Sequence, residues 1–185
     1  SPMMAEEITK FLPEIESITR LYPITESVLE YYQDSMNVIS HMDNGGFFID
    51  STFLDMFDVK ILYGNKAAPI RKPYSLILSE SLSRKFFGDE IPLGKSIYIR
   101  GEPWEITAIC QDFPENQHFH PTHFMNWQSF KDLIIGAGLS DLYYSRGWSG
   151  VYTYALMREG VNADELVDKL MDFRIDFYSE FLGGV

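Results

Sequence analysis

The sequence of 185 residues contains a single cysteine, Cys110, which ends the apolar stretch from Ile106 to Cys110. One thiol cannot form an internal disulfide, nor can it supply the several thiolates of a cysteine-based zinc cluster. We therefore expect Cys110 to behave as a small buried apolar side chain.

Long hydrophobic runs are also missing. The longest, from Leu133 to Leu139, is far shorter than the ~20 residues that a membrane-spanning helix needs. The first five residues, Ser1 to Ala5, contain neither the basic nor the apolar segment of a secretory signal peptide. Neither feature is therefore predicted within this sequence.

Positive charge is scarce as well. The sequence has 15 Lys and Arg residues against 27 Asp and Glu residues, which gives a formal net charge of -12. A surface of this sign repels phosphate backbones, so nucleic acid is not an expected partner.

Motifs of common catalytic sites are absent too. The segment from Gly88 to Ser96 ends in Gly-Lys-Ser, but its first glycine is too far from the lysine for a P-loop, and a strand is predicted where a P-loop needs a helix. No Gly-x-Ser-x-Gly nucleophile motif occurs. The sequence thus predicts no catalytic residue, no cofactor and no enzymatic activity.

Three histidines form the best candidate for a metal site. His118, His120 and His123 lie in one short segment that follows Asp112 and Glu115. In an extended chain His118 and His120 face the same side, since they are two positions apart, and imidazole is a good zinc or copper ligand. The other interpretation is an ordinary surface loop, which Pro114 and Pro121 favour.

An aromatic run near residue 145 is the best candidate for a partner interface. Its residues Tyr143, Tyr144, Arg146 and Trp148 are of the types that dominate interface hot spots. The alternative is that these rings pack in the core next to a loop.

The pattern of apolar residues predicts an α+β domain. Helical spacing is found in 5–12, in 51–57, in the segment after Ser79, which is a suitable N-cap, and in 162–177, and a further helix is predicted at 129–135. Strands are predicted at 15–22, 59–63, 75–78, 96–100, 104–113, 124–127 and 151–157, and 28–42 is either one long strand or a hairpin.

The segment from Leu76 to Ile97 resembles the signature of the MacB-like periplasmic core domain of FtsX/MacB-family ABC-transporter permeases. That signature has a strand, an N-capped helix ending in Phe-Gly, a turn with Pro and Gly-Lys, and a second strand. The strand from Trp104, which ends in Asp112-Phe113-Pro114-Glu115-Asn116, is similar to the Asp-x-Pro-x-Asn ending of that family.

The resemblance implies a porter-like α/β lobe, formed by residues 1–75 and 127–185, and a smaller β-rich, Sabre-like lobe at 76–126. It also implies an extracytoplasmic domain between the first two transmembrane helices of an inner-membrane permease. Such a domain would transmit ATP-driven motion to a partner or cargo outside, for export or an envelope process. The implied partners are an ABC ATPase, a second permease protomer, and a periplasmic adaptor or cargo, while the isolated domain is expected to be a monomer.

Two other functions stay open at this point. The first is a soluble ligand-binding module that uses the aromatic run, and the second is a metal-dependent enzyme centred on His118, His120 and His123.

Overall fold

A computed structural model describes residues 1–114, 116 and 118–179, which form ten strands and six helices. The helices are α1 (Met4–Phe11), α2 (Thr52–Met56), α3 (Glu80–Phe87), α4 (Trp127–Gly136), α5 (Ser140–Tyr144) and α6 (Ala163–Ser179). The strands are β1 (Ile15–Ile24), β2 (Ser27–Tyr32), β3 (Val38–Asp43), β4 (Gly46–Ile49), β5 (Ile61–Gly64), β6 (Ser75–Ser79), β7 (Ser96–Ile99), β8 (Glu102–Cys110), β9 (His123–Asn126) and β10 (Tyr152–Met157).

All ten strands belong to one mixed sheet. Their order is β10-β1-β4-β9-β6-β8-β7-β2-β3, and β5 pairs with the end of β8. The pairs β4–β9 and β6–β8 are parallel, and every other pair is antiparallel. The mixed α/β architecture that the sequence predicts is confirmed.

The central strands are apolar on both faces, so the sheet has a core on each side. On β6, Leu76 and Leu78 contribute to one hydrophobic cluster and Ile77 to the other, because successive side chains of a strand alternate between faces. We call these the α4 face, which includes Trp127 and Phe130, and the α2 face, which includes Phe53 and Leu54.

Local signals explain the regular middle of the chain. The hydroxyl of Ser79 accepts a hydrogen bond from the Leu82 amide at the start of α3, as predicted for an N-cap. Residues 28–42, predicted as either one long strand or a hairpin, form a hairpin. Its turn is held by Asp34, whose carboxylate accepts hydrogen bonds from the backbone amides of Met36 and Asn37.

Two elements are not predicted by the sequence pattern. The apolar segment Gly46–Ile49 is a fully buried strand, and Ser140–Tyr144 is a short helix. The division into two lobes stays a prediction. In the structure, β2 and β3 from residues 1–75 and β7 from residues 76–126 are strands of the same sheet.

Candidate functional site

The first and last helices of the described chain pack against each other. Their apolar faces share a small core with the start of β1, and the rings of Phe11 and Phe173 lie 5.5 Å apart between centroids. The buried residues of this core are Ile8, Leu12, Ile15, Phe173 and Phe177. Burial of this face follows from the helical spacing of apolar residues in α6.

Ser1 and the last turn of α6 are held by the same loop. The Ser1 hydroxyl donates a hydrogen bond to the Ser145 carbonyl oxygen at 2.8 Å. The Arg146 guanidinium donates to the Phe177 carbonyl oxygen at 2.9 Å and lies 5.0 Å from the centroid of the Phe177 ring. Such a cation over an aromatic ring adds a stabilising contact. The start of α1 and the last turns of α6 are therefore both held by residues 145 and 146.

Arg20 on β1 connects the N-terminal segment to the sheet. Its Nε and Nη2 atoms each donate to the Asp50 carboxylate at 2.9 Å, while Nη1 donates to the Pro2 carbonyl oxygen at 3.2 Å. The guanidinium carbon lies 4.3 Å from the Trp127 ring centroid, and Glu6 of α1 lies 3.5 Å from Nη1. One side chain thus contacts α1, α4 and Asp50, the residue that follows β4.

Arg20 stays positively charged although its side chain is only 13% exposed. Burial acts to lower the pKa of the guanidinium, but the hydrogen bonds and the charge of Asp50 outweigh it and raise that pKa above its usual value. The two hydrogen bonds between the planar guanidinium and the planar carboxylate also fix the relative orientation of Arg20 and Asp50, as well as their distance. Arg20, Asp50 and the α1–α6 pair form the candidate site.

Neither Arg20 nor Asp50 is singled out by the sequence. The two residues lie 30 positions apart, Arg20 on β1 and Asp50 directly after β4, and no local motif joins them. Only the pairing of β1 with β4 could have identified the contact.

The three candidate histidines do not come together. His118 is exposed, with Nε2 3.0 Å from the Tyr154 hydroxyl, and His120 is exposed as well. His123 is fully buried, with Nδ1 3.4 Å from Asp43 Oδ1. In the described part of the chain, no group of three or more His, Cys, Asp or Glu side chains could hold a metal ion.

The aromatic run divides between core and surface. Tyr143 is 2% exposed and accepts a hydrogen bond from the Trp127 indole at 3.2 Å, so it belongs to the α4-face core. Trp148 is half-buried against Phe130, and Arg146 contacts Phe177. Tyr144 is 48% exposed. An interface in this run stays a prediction that rests on Tyr144.

No helix among residues 1–114, 116 and 118–179 is long and apolar enough to span a membrane. A family model described as the MacB-like periplasmic core domain matches residues 2–173. A comparison with curated proteins finds no match.

Three solved structures share the fold. A domain of a protein assigned as a permease from Porphyromonas gingivalis is 21% identical, with a TM-score of 0.73 over 94% of this chain and 75% of that one. The periplasmic region of MacB from Actinobacillus actinomycetemcomitans is 16% identical, with a TM-score of 0.65 over 95% and 72% of the two chains. The extracellular domain of the ABC-type transporter YknZ from Gram-positive bacteria is 13% identical, with a TM-score of 0.62 over 95% and 82%.

Proposed function

Because the chain belongs to the family of MacB-like periplasmic core domains, we propose that it transmits ATP-driven motion from the membrane helices of its permease to a partner or cargo outside the inner membrane. As the MacB-like periplasmic domain of an ABC-transporter permease, it lies outside the cytoplasm. The proposed partners are a cognate ABC ATPase, a second permease protomer, and an adaptor or cargo in the periplasm.

The observation that carries this proposal is the junction of α1 and α6 at one edge of the sheet. A force on either helix passes directly to β1, since both helices pack on it through the core of Ile8, Ile15 and Phe173. The ion pair of Arg20 with Asp50 then connects β1 to β4 through side chains as well as through the backbone.

The sheet extends this connection to the opposite edge. The hairpin of β2 and β3 lies there, and Met36 at its tip is 91% exposed. The central strands of this sheet are packed on both faces and resist bending, because cores are dense and deform little, and the hairpin is joined to them through the pairing of β2 with β7. A movement of the terminal helices therefore displaces the hairpin as part of one rigid body, and such a transition needs no catalytic residue.

Distance measurements on the full-length permease with its ATPase in a lipid nanodisc test this mechanism. Spin labels at Met36→Cys and Arg174→Cys within one protomer, with other cysteines replaced, should give the same distance in nucleotide-free and ATP-bound states. Labels at Met36→Cys in both protomers should give different distances in the two states.

The variant Arg20→Met should broaden the distribution within one protomer, because it removes the side-chain link between α1 and the sheet. Lys60→Met is the matched control, since the Lys60 ammonium forms an exposed ion pair with Asp58. An unchanged distance between the two Met36 positions across all nucleotide states would contradict the proposal.

A further inference from the structure

A crevice of about 450 Å³ lies where β4 and β9 end. These strands are parallel neighbours, with Ile49 opposite Asn126 at their carboxyl ends. After β4 the chain crosses to the α2 face, where Phe53 is buried, and after β9 it crosses to the α4 face, where Trp127 is buried. Parallel strands whose connections leave on opposite faces create a crevice, and small ligands bind at such positions in open sheets.

The third wall of the crevice is the loop from Lys66 to Arg71, which is anchored at Pro69 and Ile70. The side-chain amide of Asn126 donates a hydrogen bond to the Ile70 carbonyl oxygen at 2.5 Å, and Ile70 itself is 1% exposed. The Thr107 hydroxyl donates to the Pro69 carbonyl oxygen at 2.5 Å. The backbone next to Arg71 is therefore held in place before any ligand arrives, which lowers the entropic cost of binding.

The charges that line this crevice favour an anion. Lys66 and Arg71 line it, and within the described part of the chain neither side chain has an ion-pair partner. Arg20 and Asp50 also line it, but they neutralise each other. Asp55 is the remaining acid, which leaves an excess of one positive charge in a protein whose net charge is -12.

From this arrangement we infer that the crevice is a binding site for a small organic anion that bears a carboxylate or phosphate group, held by Lys66 and Arg71. Arg71 presents the planar fork that pairs with two oxygens of such a group, and Lys66 adds a point charge. Ser51 and Gln128 also line the crevice and add polar groups to it, although the Gln128 side-chain amide donates a hydrogen bond to Asp132 at 2.8 Å. The inference is independent of the proposed transmission of motion.

Amide chemical shifts of the 185-residue chain, measured during titration with inorganic phosphate and with succinate at constant ionic strength, test this site. We expect saturable shifts at Ala67 and Ala68 with at least one of the two anions. The double variant Lys66→Gln/Arg71→Gln should weaken binding about tenfold or more, since hydrogen bonds to charged groups are lost. Phosphate binding alone would identify a phosphoryl ligand, and binding of both anions a general oxyanion site.

The control is Lys85→Gln/Arg174→Gln, which removes two exposed cations outside the crevice and should leave both affinities unchanged. Flotation with phosphatidylglycerol vesicles separates a lipid headgroup from a free anion. Vesicle binding that the crevice variant abolishes and the control retains would assign the phosphate to a lipid. The inference is overturned if neither anion gives saturable shifts and vesicles do not bind, or if both double variants respond alike.

Discussion

Two hydrogen bonds of 2.9 Å join the Arg20 guanidinium on β1 to the carboxylate of Asp50, which directly follows β4, and the Arg20 backbone amide donates a third to the same carboxylate at 2.9 Å. The carboxylate is thereby fixed by three donors from a single residue. Because the guanidinium also reaches Pro2, this arrangement sets the position of the N-terminal segment relative to the sheet.

Replacing Arg20 with Met should lower the free energy of unfolding by about 2 kcal/mol. Loss of one partner from a fully buried ion pair costs about 3–5 kcal/mol because the other charge is left unpaired. The side chain of Asp50 is 24% exposed, so water compensates part of this loss. Urea unfolding followed by tryptophan fluorescence measures the difference.

The control for this prediction is Lys60→Met, which breaks the exposed pair with Asp58 and should cost about 0.5 kcal/mol or less. Equal effects of the two substitutions would show that the Arg20 pair has no special structural role.

Alanine substitutions of Tyr143 and Tyr144 distinguish the core position from the surface position in the aromatic run. Tyr143→Ala should destabilise the protein by about 3 kcal/mol, because it removes a buried ring and leaves a cavity. Tyr144→Ala should cost about 0.5 kcal/mol, since that ring is exposed. Thermal or urea unfolding of both variants provides the comparison, and a larger loss for Tyr144→Ala would refute the assignment.

The carboxylate of Asp43 predicts a loss of stability in acid. Burial acts to raise its pKa, but hydrogen bonds from His123, Thr122 and the Gly45 amide prevail and lower the pKa from 3.8 to about 2. Because this pKa is lower in the folded state, the Asp43 carboxylate stabilises the folded protein fully above about pH 4–5. This stabilisation is lost as the pH falls towards about 2. The contribution is about 2 kcal/mol, of which about half is lost by pH 3.

Unfolding free energies of the wild type and of Asp43→Asn between pH 6 and pH 3 measure this contribution. The two should differ most at pH 6 and converge as the pH falls. Asp89→Asn, which changes an exposed acid, serves as the control. A difference between the wild type and Asp43→Asn that does not vary with pH would contradict the assignment.

Cys110 should be inert towards thiol reagents in the folded protein. Its side chain is fully buried, and burial together with the nearby charge of Asp112 raises the pKa of the thiol to about 12. Because the thiolate is the reactive species, Ellman's reagent at pH 8 should react only after denaturant is added. Rapid stoichiometric reaction in native buffer would show that the α2-face core opens readily.

Some elements were predictable because their signals are local. Ser79 followed by Leu82 and Phe86 specifies the capped, amphipathic helix α3, and the similar spacing in α6 needs no information from distant residues. The strand Gly46–Ile49 was missed because it is buried on both faces and has no alternation, so its apolar residues are compatible with other structures.

The candidate site was much less predictable than the fold. His118, His120 and His123 look like one set in the sequence, but β9 begins at His123 and buries it beside Asp43, which lies 80 positions earlier. Tyr143 and Tyr144 are neighbours of the same chemical type, yet the helix α5 directs only Tyr143 into the core.

The sequence by itself determined the fold class, the capped helices, the positions of most strands along the chain and the resemblance to MacB-like periplasmic domains. Each of these depends on residues close together in the chain. The tertiary structure alone decided that Arg20 meets Asp50, that Ser1 and Phe177 share one loop, and that Lys66 and Arg71 line a crevice with Asn126. These contacts join residues on different strands, helices and loops, and such pairings follow from the packing of the whole sheet, for which no short segment carries a signal.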